Sequence, residues 1–172
     1  MSDTVEYLVE DIEKFLRINE EEIEEQSKSL TKLLSVADKI KIFKNIDSLD
    51  LRAIVYDVQF ERYQLKDYVV EQGQSKKEIY YIIDGECQVF FNTTRIGTLR
   101  PGDVFGEAGA IFGTKRGATV VCATKKATLL SFKIDEENID FCAPALAALY
   151  KNLAFEINTK LDDLNNLAAT KK

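Results

Sequence analysis

The residues whose types and spacing could do chemistry sit together, in the stretch Phe105 to Val120: F-G-E-A-G-A-I-F-G-T-K-R-G-A-T-V. It holds four of the chain's eight glycines. Among small and apolar neighbours two charges stand out, Glu107 and Arg116. Arg116 is followed by Gly117 and Ala118, so no bulky side chain shields it and an anion can come close to the backbone. A Gly-Glu-Ala-Gly-Ala run that opens a short helix, with Gly106, Glu107 and Ala108 first, aims free N–H groups the same way. Guanidinium and N–H groups together suit one phosphate. Glu107 repels that phosphate, and its better partner is a neutral donor such as a sugar hydroxyl. The chemistry read from the stretch is a phosphate beside a ribose. A salt bridge of Arg116, for instance with Glu107, stays open as the structural alternative. So does a role for Glu107 at the positive end of the helix dipole.

Other chemistries find little support. There is no histidine, which removes the commonest transition-metal ligand and the commonest general base. Cys87, Cys122 and Cys142 are far apart and form no C-x-x-C pair. They read as reduced, mostly buried thiols of a cytoplasmic protein, with a metal site as the second reading. No nucleophile–base pair is visible, so no enzyme, metal or cofactor is expected. The net charge of −6 is uneven. Residues 1–26 carry ten acids and two bases, and the remainder is close to balanced. An acidic chain without a basic stripe argues against a nucleic-acid partner. No segment approaches about 20 apolar residues, so no membrane span is expected, and the acidic N-terminus does not read as an export signal.

The elements that must position the stretch follow from periodicity. Val5, Leu8, Val9, Ile12, Phe15 and Leu16 have helical spacing, and Ile23, Leu30, Leu33, Leu34 and Ile40 continue it. The E-E-E-I-E-E block at 20–25 reads as a solvated helix face, with an acidic partner-binding patch as the alternative. Asp47-Ser48 caps a short helix to about Tyr56. All eight glycines lie between Gly73 and Gly117, and strand patterns cluster in and around that region. They are 58–63, 68–71, 78–84, 86–92, 95–99, 118–123 and 127–133. Asp84-Gly85 reads as a hairpin turn. About eight short strands with regular turns make an antiparallel β-roll of jelly-roll type. From Asp135 the pattern is helical again, with Pro144 suited to the first turn of a further helix. The fold class is α+β, mainly β, an eight-stranded roll flanked by N-terminal helices and a long C-terminal helix. Its expected parts are 1–41, an acidic helical segment; 42–142, the roll with short helices; and 143–172, the C-terminal helix.

The stretch resembles the phosphate-binding cassette of cyclic nucleotide-binding domains, the family of catabolite activator proteins and of the regulatory subunits of cyclic-AMP-dependent protein kinase. Phe105, Gly106, Glu107, Arg116, Ala118, Thr119 and Val120 match its pattern, and the resemblance runs from about Ile42 to about Leu161. Ala108, Gly109, Lys115 and Gly117 depart from it. The resemblance implies that Gly106, Glu107, Ala108, Arg116, Gly117 and Ala118 hold a cyclic phosphate and ribose. It also implies that Val89 and Ile96 lie against the base. Cyclic AMP is the implied ligand, with cyclic GMP disfavoured because Gly117 offers no hydroxyl. A degenerate roll that has lost its ligand and serves protein interaction is the alternative.

Output is expected through a partner protein or a second copy, since there is no room for a helix-turn-helix after Leu164. Leu146, Tyr150, Leu153, Ile157 and Leu161 form one helical stripe. It is expected to pair with the same helix of a second subunit, or else to fold back on the roll or the N-terminal helices. The module so read is a regulatory sensor in signal transduction, whose C-terminal helix moves when ligand binds.

Overall fold

The computed structural model describes residues 20–136 and 139–169. The helical spacing read over Asp3 to Leu16 lies outside the described residues. Helix α1 runs through residues 20–36, with the acidic block on its exposed surface. Two 3₁₀ turns follow, Ala37–Lys39 and Lys41–Phe43, and then α2, Ser48–Ile54. The Asp47 carboxylate caps α2 by accepting from the N–H groups of Leu49 and Asp50, each at 2.9 Å, which satisfies two donors that the first turn leaves free. α2 ends at Ile54, earlier than expected, because Val55 already belongs to a strand.

Eight strands make the roll: β1 Val55–Gln64, β2 Tyr68–Val70, β3 Ile79–Asp84, β4 Cys87–Phe91, β5 Thr94–Leu99, β6 Val104–Phe105, β7 Thr119–Cys122 and β8 Lys126–Ile134. Helix α3, Glu107–Phe112, stands between β6 and β7. All strand pairs are antiparallel, in two four-stranded sheets of order β1-β8-β3-β6 and β2-β7-β4-β5. This is the roll expected from the strand patterns.

One local expectation is corrected. Asp84-Gly85 is not a hairpin turn, because β3 pairs with β6 and β8 while β4 pairs with β5 and β7. The turn carries the chain from one sheet to the other. Gly85 has φ +83, and a Cβ there would lie 2.5 Å from the Lys126 carbonyl oxygen, so only glycine fits this corner. The tight β4–β5 hairpin turns instead at Asn92-Thr93, with Asn92 at φ 52.

Alternation along the strands builds two cores separated by the first sheet. Tyr80, Ile82, Phe105, Leu129 and Ala127 face the roll interior with Val69, Val70, Cys87, Val120 and Cys122. Ile79, Tyr81, Val104, Leu130 and Phe132 face outward and pack beneath the helices. That outer core takes Leu33, Ala37 and Ile40 from the N-terminal part and Leu146, Leu149 and Leu153 from the C-terminal helix. It therefore draws on all three segments expected from sequence. All three cysteines are free and buried, and burial pushes the Cys87 thiol up to about 12.

Helix α4, Ile139–Ala169, bends at Cys142, whose φ −118 and ψ 15 are not helical, just before Pro144. Pro144 thus opens the second part, where its missing N–H matters least. Asp135 and Glu136 precede the helix rather than start it, and the Asp135 N–H donates to the Ile54 carbonyl at 2.9 Å. No helix among the described residues is long and apolar enough to cross a membrane.

Candidate functional site

The cassette is positioned by β6 on one side and β7 on the other. Gly106 ends the β6 run in a left-handed conformation, φ +87, and so turns the chain sharply into α3. Gly113 ends α3 the same way, at φ +64. The next residues return toward β7 and fold Arg116 back beneath Gly106. The Arg116 backbone is fixed to the β2–β3 loop at both ends: its N–H donates to the Gln74 carbonyl and its carbonyl accepts from Gly73 N–H, each at 2.8 Å.

The Arg116 side chain is 5% exposed. Nη1 donates to the Gly106 carbonyl at 2.7 Å and Nη2 to the Glu78 carbonyl at 2.6 Å. Nη2 also lies 3.6 Å from the Glu78 carboxylate. Tyr80 lies 5.7 Å from the guanidinium carbon and stacks on Phe105, with centroids 5.0 Å apart and planes at 9°. The guanidinium is thus held between two carbonyls, a carboxylate and an aromatic wall. Burial pulls its pKa down, against the charges of Tyr80, Glu78 and Glu107. Burial likewise pushes the Tyr80 hydroxyl up to about 12. Arg116 Nε and Glu78 Oε2 are buried without a hydrogen-bond partner among the described residues.

Two glycines make room for this arrangement. A Cβ on Gly106 would lie 2.5 Å from Arg116 Nη1 and 2.8 Å from the Glu78 carbonyl oxygen. One on Gly109 would lie 2.9 Å from the Lys76 carbonyl oxygen and 3.2 Å from Nη1. The departure from the family pattern at 109 therefore goes with a close approach of backbone and arginine.

A chain of charge continues behind Arg116. The Glu78 carboxylate is 3.5 Å from Lys133 Nζ, which is 2.6 Å from Asp57. Asp57 sits at the register shift of β1 with φ 51, and its carboxylate accepts from Gln59 Nε2 at 3.1 Å. Their mutual bond lowers the Asp57 pKa and raises that of Lys133. Glu61 accepts from Ser131 at 2.6 Å and from Tyr63 at 2.5 Å. One end of the roll interior is therefore polar and paired, while the other is apolar.

The structure brings Gly106, Glu107, Ala108, Arg116, Gly117 and Ala118 into one place. Glu107 is half-buried at the first turn of α3, while Ala108 and Gly117 are exposed. The nearest carboxylate to Arg116 is Glu78, not Glu107, and the contact is buried rather than superficial. Val89 on β4 packs against the inner core, the cluster that includes Phe105 and Tyr80. Ile96 on β5 is 55% exposed, next to the register shift of that pair. In the C-terminal stripe, Leu146 and Leu153 are buried in the outer core and Tyr150 donates to Glu136, whereas Ile157 and Leu161 are 43% and 54% exposed.

Sequence reasoning missed Glu78, Tyr80, Lys133 and Asp57. One signal was present: Glu78 and Lys133 are charges at the ends of apolar runs, E-I-Y-Y-I-I and L-L-S-F-K, and the β3–β8 register brings those ends together.

Residues 60–136 match the family model described as Cyclic nucleotide-binding domain. Over 92 residues the chain is 34% identical to a cAMP-dependent protein kinase regulatory subunit of Schizosaccharomyces pombe, covering 53% of this chain and 22% of that one. Over 87 residues it is 29% identical to a cGMP-dependent protein kinase of Plasmodium berghei, covering 51% of this chain and 10% of that one. The matched segment is thus a small part of both relatives. A solved cyclic nucleotide-binding domain from Methylobacillus flagellatus has the same fold, with a TM-score of 0.64 at 17% identity, covering 84% of this chain and 85% of that one. The matched segment, residues 60–136, is thus similar to cyclic nucleotide-binding domains, and the roll that it builds has the fold of the solved example.

Proposed function

We propose that the protein is a regulatory module that binds cyclic AMP in preference to cyclic GMP and passes the state of its site to a partner through α4. The observation that carries this reading is Arg116: a guanidinium 5% exposed, locked beneath Gly106, with Nε unmatched among the described residues. A cyclic phosphate supplies the acceptor that Nε lacks, and Glu107 takes a ribose hydroxyl. The names of the relatives, one cAMP-dependent and one cGMP-dependent, leave the base to be argued from this chain. Gly117 has no hydroxyl to meet a guanine amino group, which favours cyclic AMP. Calorimetric titration with cyclic AMP, cyclic GMP and a cyclic dinucleotide tests the reading. Absence of binding to all three would favour a roll that serves protein contact alone.

Support for the readout lies in how α4 meets β6. Lys160 Nζ donates to the Val104 carbonyl and lies 3.9 Å from Asp103. Val104 is two residues from Gly106, so the anchor of the helix and the start of the cassette share one short strand. Ile157 and Leu161 stand open on either side of that anchor in the helix, as a seam for the same helix of a second copy. Sedimentation and hydrogen exchange over 144–165, with and without cyclic AMP, test this. A monomer in both states with unaltered exchange would remove the proposal.

A further inference from the structure

The observation that the cassette reading does not absorb is Glu78. Its carboxylate faces the arginine that is to bind an anion, and one of its oxygens is buried without a hydrogen bond among the described residues. It is not needed to hold Arg116 in place by hydrogen bonding, because both guanidinium hydrogen bonds go to backbone carbonyls, of Gly106 and of residue 78 itself. The side chain instead stands between two cations, 3.6 Å from Arg116 and 3.5 Å from Lys133. Lys133 is shared in turn with Asp57 at 2.6 Å. Tyr80 and Glu107 also face the guanidinium.

We infer that Glu78 is the specificity-determining residue that sets how strongly the site prefers an anionic ligand to a neutral nucleoside, with Lys133 restraining it. The inference rests on the cyclic nucleotide reading above. A phosphate brought to Arg116 meets a carboxylate already there, and the two repel across a poorly solvated space. A neutral nucleoside, which places no charge at Arg116, does not meet that repulsion. Lys133 draws the carboxylate away from Arg116, and Asp57 limits how far Lys133 is free to do so. The acidic side chain therefore weakens anion binding without dismantling the guanidinium cradle.

The test is a calorimetric comparison of cyclic AMP and adenosine on three proteins: the parent chain, Glu78→Gln and Lys133→Gln. Glu78→Gln keeps shape and removes charge, so cyclic AMP should bind about tenfold tighter while adenosine is unchanged within about twofold. Lys133→Gln leaves the carboxylate wholly to Arg116, so cyclic AMP should weaken by several-fold, again with adenosine unchanged. A purely structural role would move both ligands together. Melting curves of the ligand-free variants establish that each is folded. If Glu78→Gln does not fold, the Lys133→Gln arm decides alone. Binding by Glu78→Gln where the parent shows none supports the inference. Cyclic AMP affinity unchanged or weaker in Glu78→Gln, or a shift common to both ligands, overturns it while the cyclic nucleotide reading stands. No binding of cyclic AMP by any of the three proteins overturns both.

Discussion

Replacing Arg116 by alanine removes a residue that the protein already uses before any ligand arrives. The buried carbonyls of Gly106 and Glu78 lose donors at 2.7 and 2.6 Å, and the Glu78 carboxylate loses the cation 3.6 Å away. Hydrogen bonds to a charged group contribute about 1.5–3 kcal/mol each. Relief of the arginine's own desolvation, several kcal/mol per buried ion, offsets part of this. Removing one member of a buried pair still leaves the others without partners, and the net loss of stability should be about 3 kcal/mol. For a chain of this length that lowers the melting temperature by about 6–12 °C. Cyclic AMP binding should weaken separately, by about 2–5 kcal/mol, for loss of a partly buried charge-assisted contact. Arg116→Lys should fall between in stability and still bind poorly, since one ammonium cannot span both carbonyls and present a fork to phosphate. Melting without ligand and calorimetry with it separate the two effects. A ligand-free Arg116→Ala protein as stable as its parent would refute the anchoring argument. Unchanged cyclic AMP affinity would refute the phosphate role.

Gly106→Ala should destabilise by about 2–4 kcal/mol, since it adds left-handed strain to a Cβ placed 2.5 Å from Arg116 Nη1. Gly102→Ala, at φ +94 with nothing within 4 Å, should lose only the strain, about 1–2 kcal/mol; equal losses on denaturation would deny any crowding at 106. Gly117→Thr should narrow the gap between cyclic AMP and cyclic GMP in competition binding, and a parent protein that prefers cyclic GMP would reverse the assignment. Asp57 has a carboxyl pKa lowered from 3.8 by its bond to Lys133. Such a group stabilises fully above its unfolded pKa and loses that contribution as pH falls through the folded value. Asp57→Asn, which tolerates the backbone at φ 51, should therefore flatten the fall in melting temperature below about pH 4. An unaltered acid limb would remove Asp57 from the account.

What was legible in the sequence is what local pattern encodes. Alternation over 58–63 and the apolar runs within 78–84 and 127–133 marked strands, and the small residues around Arg116 marked the cassette. β6 escaped because two residues carry no period, although it is the strand that delivers Gly106. Asp84-Gly85 was legible as a turn but not as a corner, since the same dipeptide serves either and the choice depends on partners far along the chain. Glu78 read as the polar start of a strand. Its contact with Arg116 is 38 residues away in sequence, and the anchors themselves are backbone carbonyls, which every residue type possesses. The stripe from Leu146 to Leu161 showed a face but not its cover. Leu153 and Ile157 differ in burial only because the outer core ends between them.

The first sheet has a consequence for anyone who trims the chain. Residues 60–136 carry the matched family segment, yet Ile79, Tyr81, Val104, Leu130 and Phe132 within that segment are buried by helices that lie outside it. A fragment cut to those limits would present five large apolar side chains to solvent as one patch, the kind of surface that makes an expressed fragment aggregate. Leu33 and Leu153, 0% and 1% exposed, mark the innermost points at which a truncation or a reporter fusion can begin and end. A biosensor built on this roll must keep both flanks, with its fluorophores attached beyond them.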